Sequence, residues 1–478
     1  MVNFGLLYME IATAALGLML LAWGLLVPKR ERQGIAYLTA AGLLALLALA
    51  WCTRGAAGTV LPGYTIDLYS IYFKSLFLTA AFLATICSFD YVAKMGFNQG
   101  EYYALLVFAT LGMMVLATSG ELITLYLGLE LMAITFYILV AYRLDDPKSA
   151  EAGIKYLLLG ALSSAILLYG FSLIYGTCGS TVLREIGKRI SSGQADFALL
   201  LGLIFVIAGF SFKVTAVPFH MWAPDVYEGA PTPITAFLSV GSKAAAFAAL
   251  IRILFLGFDN QAFLWLPLVT VLSVLSMVLG NLVAIPQKNV KRLLAYSSVA
   301  QGGYLLLGIV SASLLGIGAI LYYAMIYVFA NMGAFMAATA FYNNDRSDEI
   351  KDYAGLARRA PLVAAVMLFS VASLAGIPPL AGFPGKLYLF SSVVARDYSY
   401  LWLALLGLLM SAVSVYYYLQ IVKAMYTGNP APQKGALQVS RGMEVAMLLV
   451  LGILFFLGIY PTPLTNYAFK AGETLFMP

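Results

Sequence analysis

The chain has 478 residues, of which 62% are hydrophobic and only 10% charged, with a formal net charge of +6. Soluble domains hold about 45–50% apolar and about 25% charged residues, so the surplus apolar surface must face lipid. Mean hydropathy of +0.90 agrees, and a soluble enzyme, a disordered chain and a disulfide scaffold are excluded.

Crossing about 30 Å of hydrocarbon takes roughly 20 apolar residues in a helix. Such runs fall, in chain order, at 4–27, 35–53, 70–90, 102–119, 121–142, 154–175, 197–217, 232–256, 263–284, 292–311, 314–341, 361–394, 400–426 and 443–460. The expected fold class is all-α integral membrane, with about 14 transmembrane helices, because an open sheet cannot satisfy its backbone in lipid. Loops after odd-numbered spans carry most of the cations: Lys29, Arg30, Arg32, Lys94, Arg143, Lys148, Lys288, Lys291, Arg292, Arg346, Lys351, Arg358, Arg359, Lys434 and Arg441. That bias puts the odd loops in the cytoplasm and both termini outside. The 176–196 stretch, with Arg184, Lys188 and Arg189, breaks the pattern. The first span is followed, not preceded, by its basic flank, which argues against a cleaved signal peptide.

Cofactor ligands are sparse. Cys52, Cys87 and Cys178 lie far apart and His220 is the single histidine, so iron–sulfur, zinc and haem sites lack ligands. Gly382–Lys386 fails the phosphate-loop pattern, since Leu380 and Leu387 occupy required positions.

Two spans are interrupted. The seventh runs through Lys213-Val-Thr-Ala-Val-Pro218 into a turn-rich stretch ending at Pro233, and the twelfth contains Ala375-Gly-Ile-Pro378-Pro379 and continues to Lys386. Pro218 deprives the Val214 carbonyl of its helical donor, and Pro378 and Pro379 do the same to Leu374 and Ala375. Aligning the breaks pairs spans 4–8 with spans 9–13. An odd number of spans per unit makes the second inverted, a transporter pattern with ion sites at the breaks. The expected organisation is 1–99 as a three-helix segment, 100–257 and 258–428 as the two five-helix repeats, and 429–478 as a final helix and tail. Hydrated pockets are expected at the breaks; a packing kink is the plainer reading of each break alone.

Ionisable residues lie within the spans: Glu130, Lys213, Lys243 and Lys386, with Lys155 near the start of span six. Each mid-membrane charge costs roughly 2.5–3.5 kcal/mol, so four cost about as much as a domain's net stability. A lysine amine, with an ordinary pKa of about 10.4, is tunable: desolvation loosens its proton and a nearby carboxylate holds it. A Glu130–Lys213 pair would keep its proton until opened. Snorkelling is the competing reading for Lys155. His220 either relays protons beside Lys213 or donates to the freed carbonyls. Asp225 and Glu228 read as turn-shaping loop residues, and Glu10 as interfacial.

The run Phe212-Lys-Val-Thr-Ala-Val-Pro-Phe-His-Met-Trp-Ala-Pro-Asp-Val-Tyr-Glu-Gly-Ala-Pro-Thr-Pro resembles a long, specific motif of the antiporter-like membrane subunits of respiratory complex I, the NADH–quinone oxidoreductase. Gly128-Leu-Glu130-Leu, Lys148 to Ser164, Lys291-Arg-Leu-Leu-Ala-Tyr-Ser-Ser and Ala381-Gly-Phe-Pro-Gly-Lys386 support the resemblance, which covers essentially the whole chain. Lys386, where some branches carry Glu, and the absence of a long C-terminal lateral helix narrow it within the family. The resemblance implies a proton translocase subunit without its own redox centre or independent catalytic activity. Glu130 and Lys213 would be the input pair, Lys155 and His220 its modulators, Lys243 the central relay and Lys386 the terminal carrier. NADH, FMN, iron–sulfur clusters and quinone would be bound by partner subunits. The partners would be neighbouring membrane subunits, including paralogous ones, in the bacterial cytoplasmic membrane, together with lipid; no nucleic acid is expected. The alternatives are a subunit of a multisubunit cation/proton antiporter and a membrane subunit of a ferredoxin- or hydrogenase-linked complex. A quinone-handling redox subunit lacks ligands for a redox centre, and an inert scaffold leaves the buried lysines without a purpose.

Overall fold

The computed structural model describes residues 4–27, 33–55, 57–192, 196–429 and 435–476. Lys29, Arg30, Arg32 and Lys434, four of the cations used to orient the chain, lie outside the described residues.

Six helices open the fold: α1 (Tyr8–Leu26), α2 (Gln33–Cys52), α3 (Leu68–Met95), α4 (Gln99–Thr118), α5 (Leu122–Val140) and α6 (Pro147–Cys178). A short antiparallel hairpin, β1 (Gly58–Leu61) and β2 (Tyr64–Ile66), joins α2 to α3. The middle of the chain holds α7 (Leu183–Ser192), α8 (Phe197–Lys213), α9 (Trp222–Gly229), α10 (Thr232–Phe237), α11 (Lys243–Arg252), α12 (Ala262–Ala284), α13 (Val290–Val310) and α14 (Leu314–Asp345). The last part holds α15 (Leu356–Arg359), α16 (Pro361–Ala375), α17 (Gly382–Arg396), α18 (Leu401–Thr427), α19 (Arg441–Ile459) and α20 (Thr462–Thr474). Twelve helical segments among the described residues are long and apolar enough to cross a membrane. The expected spans 197–217 and 361–394 are not continuous; they contain the shorter apolar helices α8 and α16, each ending at a break.

Burial sorts these segments into a centre and a rim. Within the 18-residue apolar window of each segment, Thr232–Gly257 is fully buried, α13 is 94% and α14 89% buried, whereas α12 is only 33% buried. A helix apolar on all sides belongs in the middle of a bundle. The central stretch is not regular: a π-helical turn, Leu238–Ser242, joins α10 to α11 and delivers Lys243. Such wide turns break the helical ladder locally and are frequent at functional sites.

Small residues set the closest contacts. A β-carbon on Gly128 would come within 2.7 Å of the Leu116 backbone nitrogen, so α5 lies hard against α4 just before Glu130. Gly170 and Gly202 face each other, and a β-carbon on either would lie 3.0 Å or less from the other's carbonyl oxygen. That contact packs α6 closely against α8.

Two readings change. Glu10 is not interfacial: it is 7% exposed, pairs with Lys74 at 2.7 Å and accepts from the Tyr64 hydroxyl at 2.8 Å. The anomalous 176–196 stretch contains α7, whose Leu183, Ile186 and Ile190 are buried while Arg184 and Lys188 are exposed. Its cations belong to the polar face of an amphipathic helix, which explains why they escape the loop-charge rule.

Candidate functional site

The first break begins in the last turn of α8, where the negative end of the helix dipole favours a cation. Lys213 stands there, 2% exposed. Its ammonium has no hydrogen-bond partner and lies 5.6 Å from the Phe212 ring centre and 5.8 Å from that of Tyr137. On α5, Glu130 Oε1 and the Tyr137 hydroxyl are likewise enclosed and without hydrogen-bond partners. The expected Glu130–Lys213 ion pair is therefore not closed: Lys213 rests among aromatic rings. The Val214 carbonyl, stripped of its donor by Pro218, accepts instead from the Thr215 hydroxyl at 2.6 Å.

Lys243 is 2% exposed and donates to both the carbonyl and the hydroxyl of Ser298 on α13, the latter at 2.6 Å. Tyr327 on α14 donates to the same hydroxyl at 3.0 Å, and the Tyr227 hydroxyl lies 3.3 Å from it. A β-carbon on Gly302 would be 2.7 Å from the Val214 carbonyl oxygen and 3.7 Å from the Lys243 ammonium. Glycine there lets the first break and the central lysine approach one spot on α13.

The second break repeats the logic with different donors. The Leu374 carbonyl accepts from Gln301 at 3.1 Å. The Ala375 carbonyl accepts from Lys386 at 3.1 Å and from Ser411 at 2.8 Å. Lys386 is 3% exposed, also donates to Ser411 Oγ at 2.8 Å, and sits 4.5 Å from the Tyr304 ring centre. All three carbonyls freed by proline are thus capped by side chains, so the hydrated pockets expected at those carbonyls are not needed to satisfy them.

Lys155 and His220 take part in none of these contacts. Lys155 is 40% exposed and pairs with Asp225 at 2.6 Å and Glu151 at 2.7 Å. Asp225 and Glu228 are not loop residues: they lie on α9 and are clamped by Arg292 at 2.8 and 3.0 Å, with Lys148 on Glu228 at 2.8 Å. Burial pushes both carboxyls upward, but hydrogen bonds from Lys155 and Arg292 to Asp225, and from Lys148 and Arg292 to Glu228, outweigh it and hold both below the usual carboxylate range. His220 is half-buried between exposed Phe219 and Met221, its ring centre 6.4 Å from that of Tyr296 and its Nδ1 without a partner.

Sequence reasoning missed Ser298, Gln301, Tyr323 and Tyr327. The available signal was Ser297, Ser298 and Gln301 at helical spacing within one apolar span. Among the described residues no cluster of three or more His, Cys, Asp or Glu could hold a metal ion.

Known proteins share both the sequence and the arrangement. Residues 119–414, more than half of the chain, match the family model described as NADH:quinone oxidoreductase/Mrp antiporter, TM. NADH-quinone oxidoreductase subunit N of Moorella thermoacetica is 68% identical over 478 residues, covering 100% of both chains. A chain of respiratory complex I from Thermus thermophilus is 31% identical with a TM-score of 0.79, covering 96% of this chain and 98% of that one. A chain of the Mrp complex from Dietzia sp. DQ12-45-1b shares the fold, with a TM-score of 0.86 at 22% identity, covering 98% of each. A multi-pass helical membrane protein with this much sequence in common with them belongs to the antiporter-like subunit N family of NADH–quinone oxidoreductase.

Proposed function

We propose that this proton-translocating membrane subunit of a redox-driven NADH–quinone oxidoreductase carries protons along Glu130, Lys213, Lys243 and Lys386. The observation that carries the reading is the burial of three lysines, each 3% exposed or less, around α13: Lys243 on Ser298, Lys386 over Tyr304, and the break that follows Lys213 against Gly302. None of the three has a carboxylate within ion-pair distance among the described residues. Structural ion pairs do not account for them, and charge inside a bilayer is retained where it moves ions.

Glu130 and Lys213 form the input end, closing as a pair when Lys213 leaves the Tyr137 ring. Lys243 is the central relay and Lys386 the outward carrier. Water completes the path where side chains do not touch, and the enclosed oxygens of Glu130 and Tyr137 would hold it. Lys155 and His220 modulate the input end. Segments 100–257 and 258–428 act as inverted repeats, one proton half-path each, flanked by 1–99 and 429–478. The chain sits in the bacterial cytoplasmic membrane with both termini outside, among paralogous subunits. NADH, FMN, iron–sulfur clusters and quinone belong to partner chains.

The test is Lys243→Ala in the assembled complex, reconstituted in vesicles, with protons moved per electron as the readout. Pumping is expected to fail while assembly survives. Full stoichiometry in the assembled variant would overturn the relay.

A further inference from the structure

Gln301 lies fully buried on α13, three residues after Ser298, and therefore on the same helix face. Its amide nitrogen donates to the Leu374 carbonyl at 3.1 Å, and its oxygen accepts from the Tyr323 hydroxyl at 2.5 Å. Chemistry fixes the orientation: a carbonyl only accepts, so the NH₂ must face Leu374 and the oxygen is left for Tyr323. On one side of Gln301 stand Ser298 and the Lys243 ammonium; on the other stands the break whose next carbonyl, Ala375, holds Lys386.

The hydroxyls along this line can each accept one proton, release another and rotate back. An amide cannot. Protonation of Oε1 by Tyr323 with loss of a proton from Nε2 would leave an imidic acid, and Leu374 offers only a carbonyl to receive that proton. Gln301 therefore stands between the two lysine stretches, hydrogen-bonded to the break on the Lys386 side and next to Ser298 on the shared face of α13, while carrying no proton between them.

We propose that Gln301 is a gate: in the arrangement seen here its amide insulates the Lys243 stretch from the Lys386 stretch, and transfer requires the amide to leave the Leu374 carbonyl so that water can pass. This rests on the reading that protons travel from Lys243 to Lys386. The second break supplies the anchoring carbonyl, because Pro378 removes the donor that would otherwise occupy it. Gln301 is a positioning residue that never itself titrates.

The test compares Gln301→Glu, which has nearly the same shape but can take up and release a proton, with Gln301→Met, which cannot. Each variant complex is purified whole, checked for assembly and placed in proteoliposomes. Passive proton conductance without electron donor, electron-transfer rate and protons per electron are then read. Gln301→Glu should raise passive conductance several-fold and lower protons per electron at a retained electron-transfer rate, while Gln301→Met should not leak. An unchanged conductance in Gln301→Glu overturns the gate, as does an equal leak in Gln301→Met, which would mark loosened packing. Where Gln301→Glu fails to assemble, Gln301→His is read by the same outcomes. Lys243→Ala and Lys386→Ala run in parallel: if both pump fully, the relay itself fails, whereas lost pumping in them with a silent Gln301→Glu removes the gate alone.

Discussion

Lys386 reaches back from the start of α17 to donate to the Ala375 carbonyl at 3.1 Å, the group that Pro379 leaves without its helical donor. The break and the lysine are thus one device. Proline creates a strong acceptor at the negative end of α16, and the ammonium is held there without a carboxylate. A carboxylate would bind the proton far more tightly than a carbonyl and a hydroxyl do, so this cradle stabilises a cation and still lets its proton go.

Ser411 closes the cradle, donating to Ala375 at 2.8 Å and accepting from Lys386 at 2.8 Å. Ser411→Ala should destabilise the protein by about 1 kcal/mol, the net worth of a buried hydrogen bond, and lower protons per electron without abolishing pumping. Thermal unfolding of the purified complex and proton counting in vesicles check the two halves. Unchanged pumping would mean that Lys386 does not depend on its cradle.

Lys155→Ala should cause a partial loss of pumping rate, smaller than that of Lys243→Ala, with assembly intact. Arg292 continues to hold Asp225 in this variant, so α9 keeps its attachment to α13. Initial pumping rates in vesicles decide it, and a rate equal to that of the unsubstituted complex would reduce Lys155 to an anchor at the surface.

Much of this was legible in the sequence because lipid imposes few solutions. Length, hydropathy and proline position located twelve of the expected spans, and both breaks that interrupt the other two. Glu130, Lys213, Lys243 and Lys386 stood out because charge in an apolar run is costly. What pattern could not supply was pairing across distant helices. The capping of Val214, Leu374 and Ala375 by Thr215, Gln301, Lys386 and Ser411 depends on which helix faces which. The same holds for Glu10, which reads as interfacial in the sequence because its partner Lys74 is 64 positions away. Asp225 and Glu228 were misread because Pro224 and Gly229 suggest a turn, whereas Pro224 lies in the first turn of α9, where its missing N–H costs no helical bond. The amphipathic α7 and the β1–β2 hairpin are too short to stand out among long apolar runs.

Acid should loosen α9 in a defined window. Asp225 and Glu228 have folded pKa values below their ordinary values of about 3.9 and 4.3. A lowered folded pKa means that the unfolded state binds protons more readily. The pairs' contribution is therefore fully present above the ordinary values and is lost as pH falls through the lowered ones. Hydrogen exchange across 222–229 should stay flat from neutral pH to about 5, after correction for intrinsic rates, and lose protection below about 4. Arg292→Gln removes the clamp common to both carboxyls and should move that onset upward. Loosening already complete at pH 6 in the unsubstituted protein would contradict the ion-pair assignment.

The Glu10–Lys74 pair tests whether buried charge outside the proposed proton path is structural. Its side chains are 8% and 1% exposed, and Glu10 Oε2 has no hydrogen-bond partner. Removing one member strands the other in a low-dielectric interior, a cost of about 3–5 kcal/mol, whereas replacing both with apolar groups of similar volume is often neutral. Lys74→Met should therefore lower the unfolding temperature of the purified complex sharply, and Glu10→Leu combined with Lys74→Met should restore most of it. The Tyr64 hydroxyl, which donates to Glu10 Oε1 at 2.8 Å, ties the hairpin to the pair, so the single variant should also expose 58–66 to protease. If the double variant is as unstable as the single one, the loss comes from packing between α1 and α3 and the stranded-charge account fails. If both are stable but pumping falls, the pair belongs to the proton path after all.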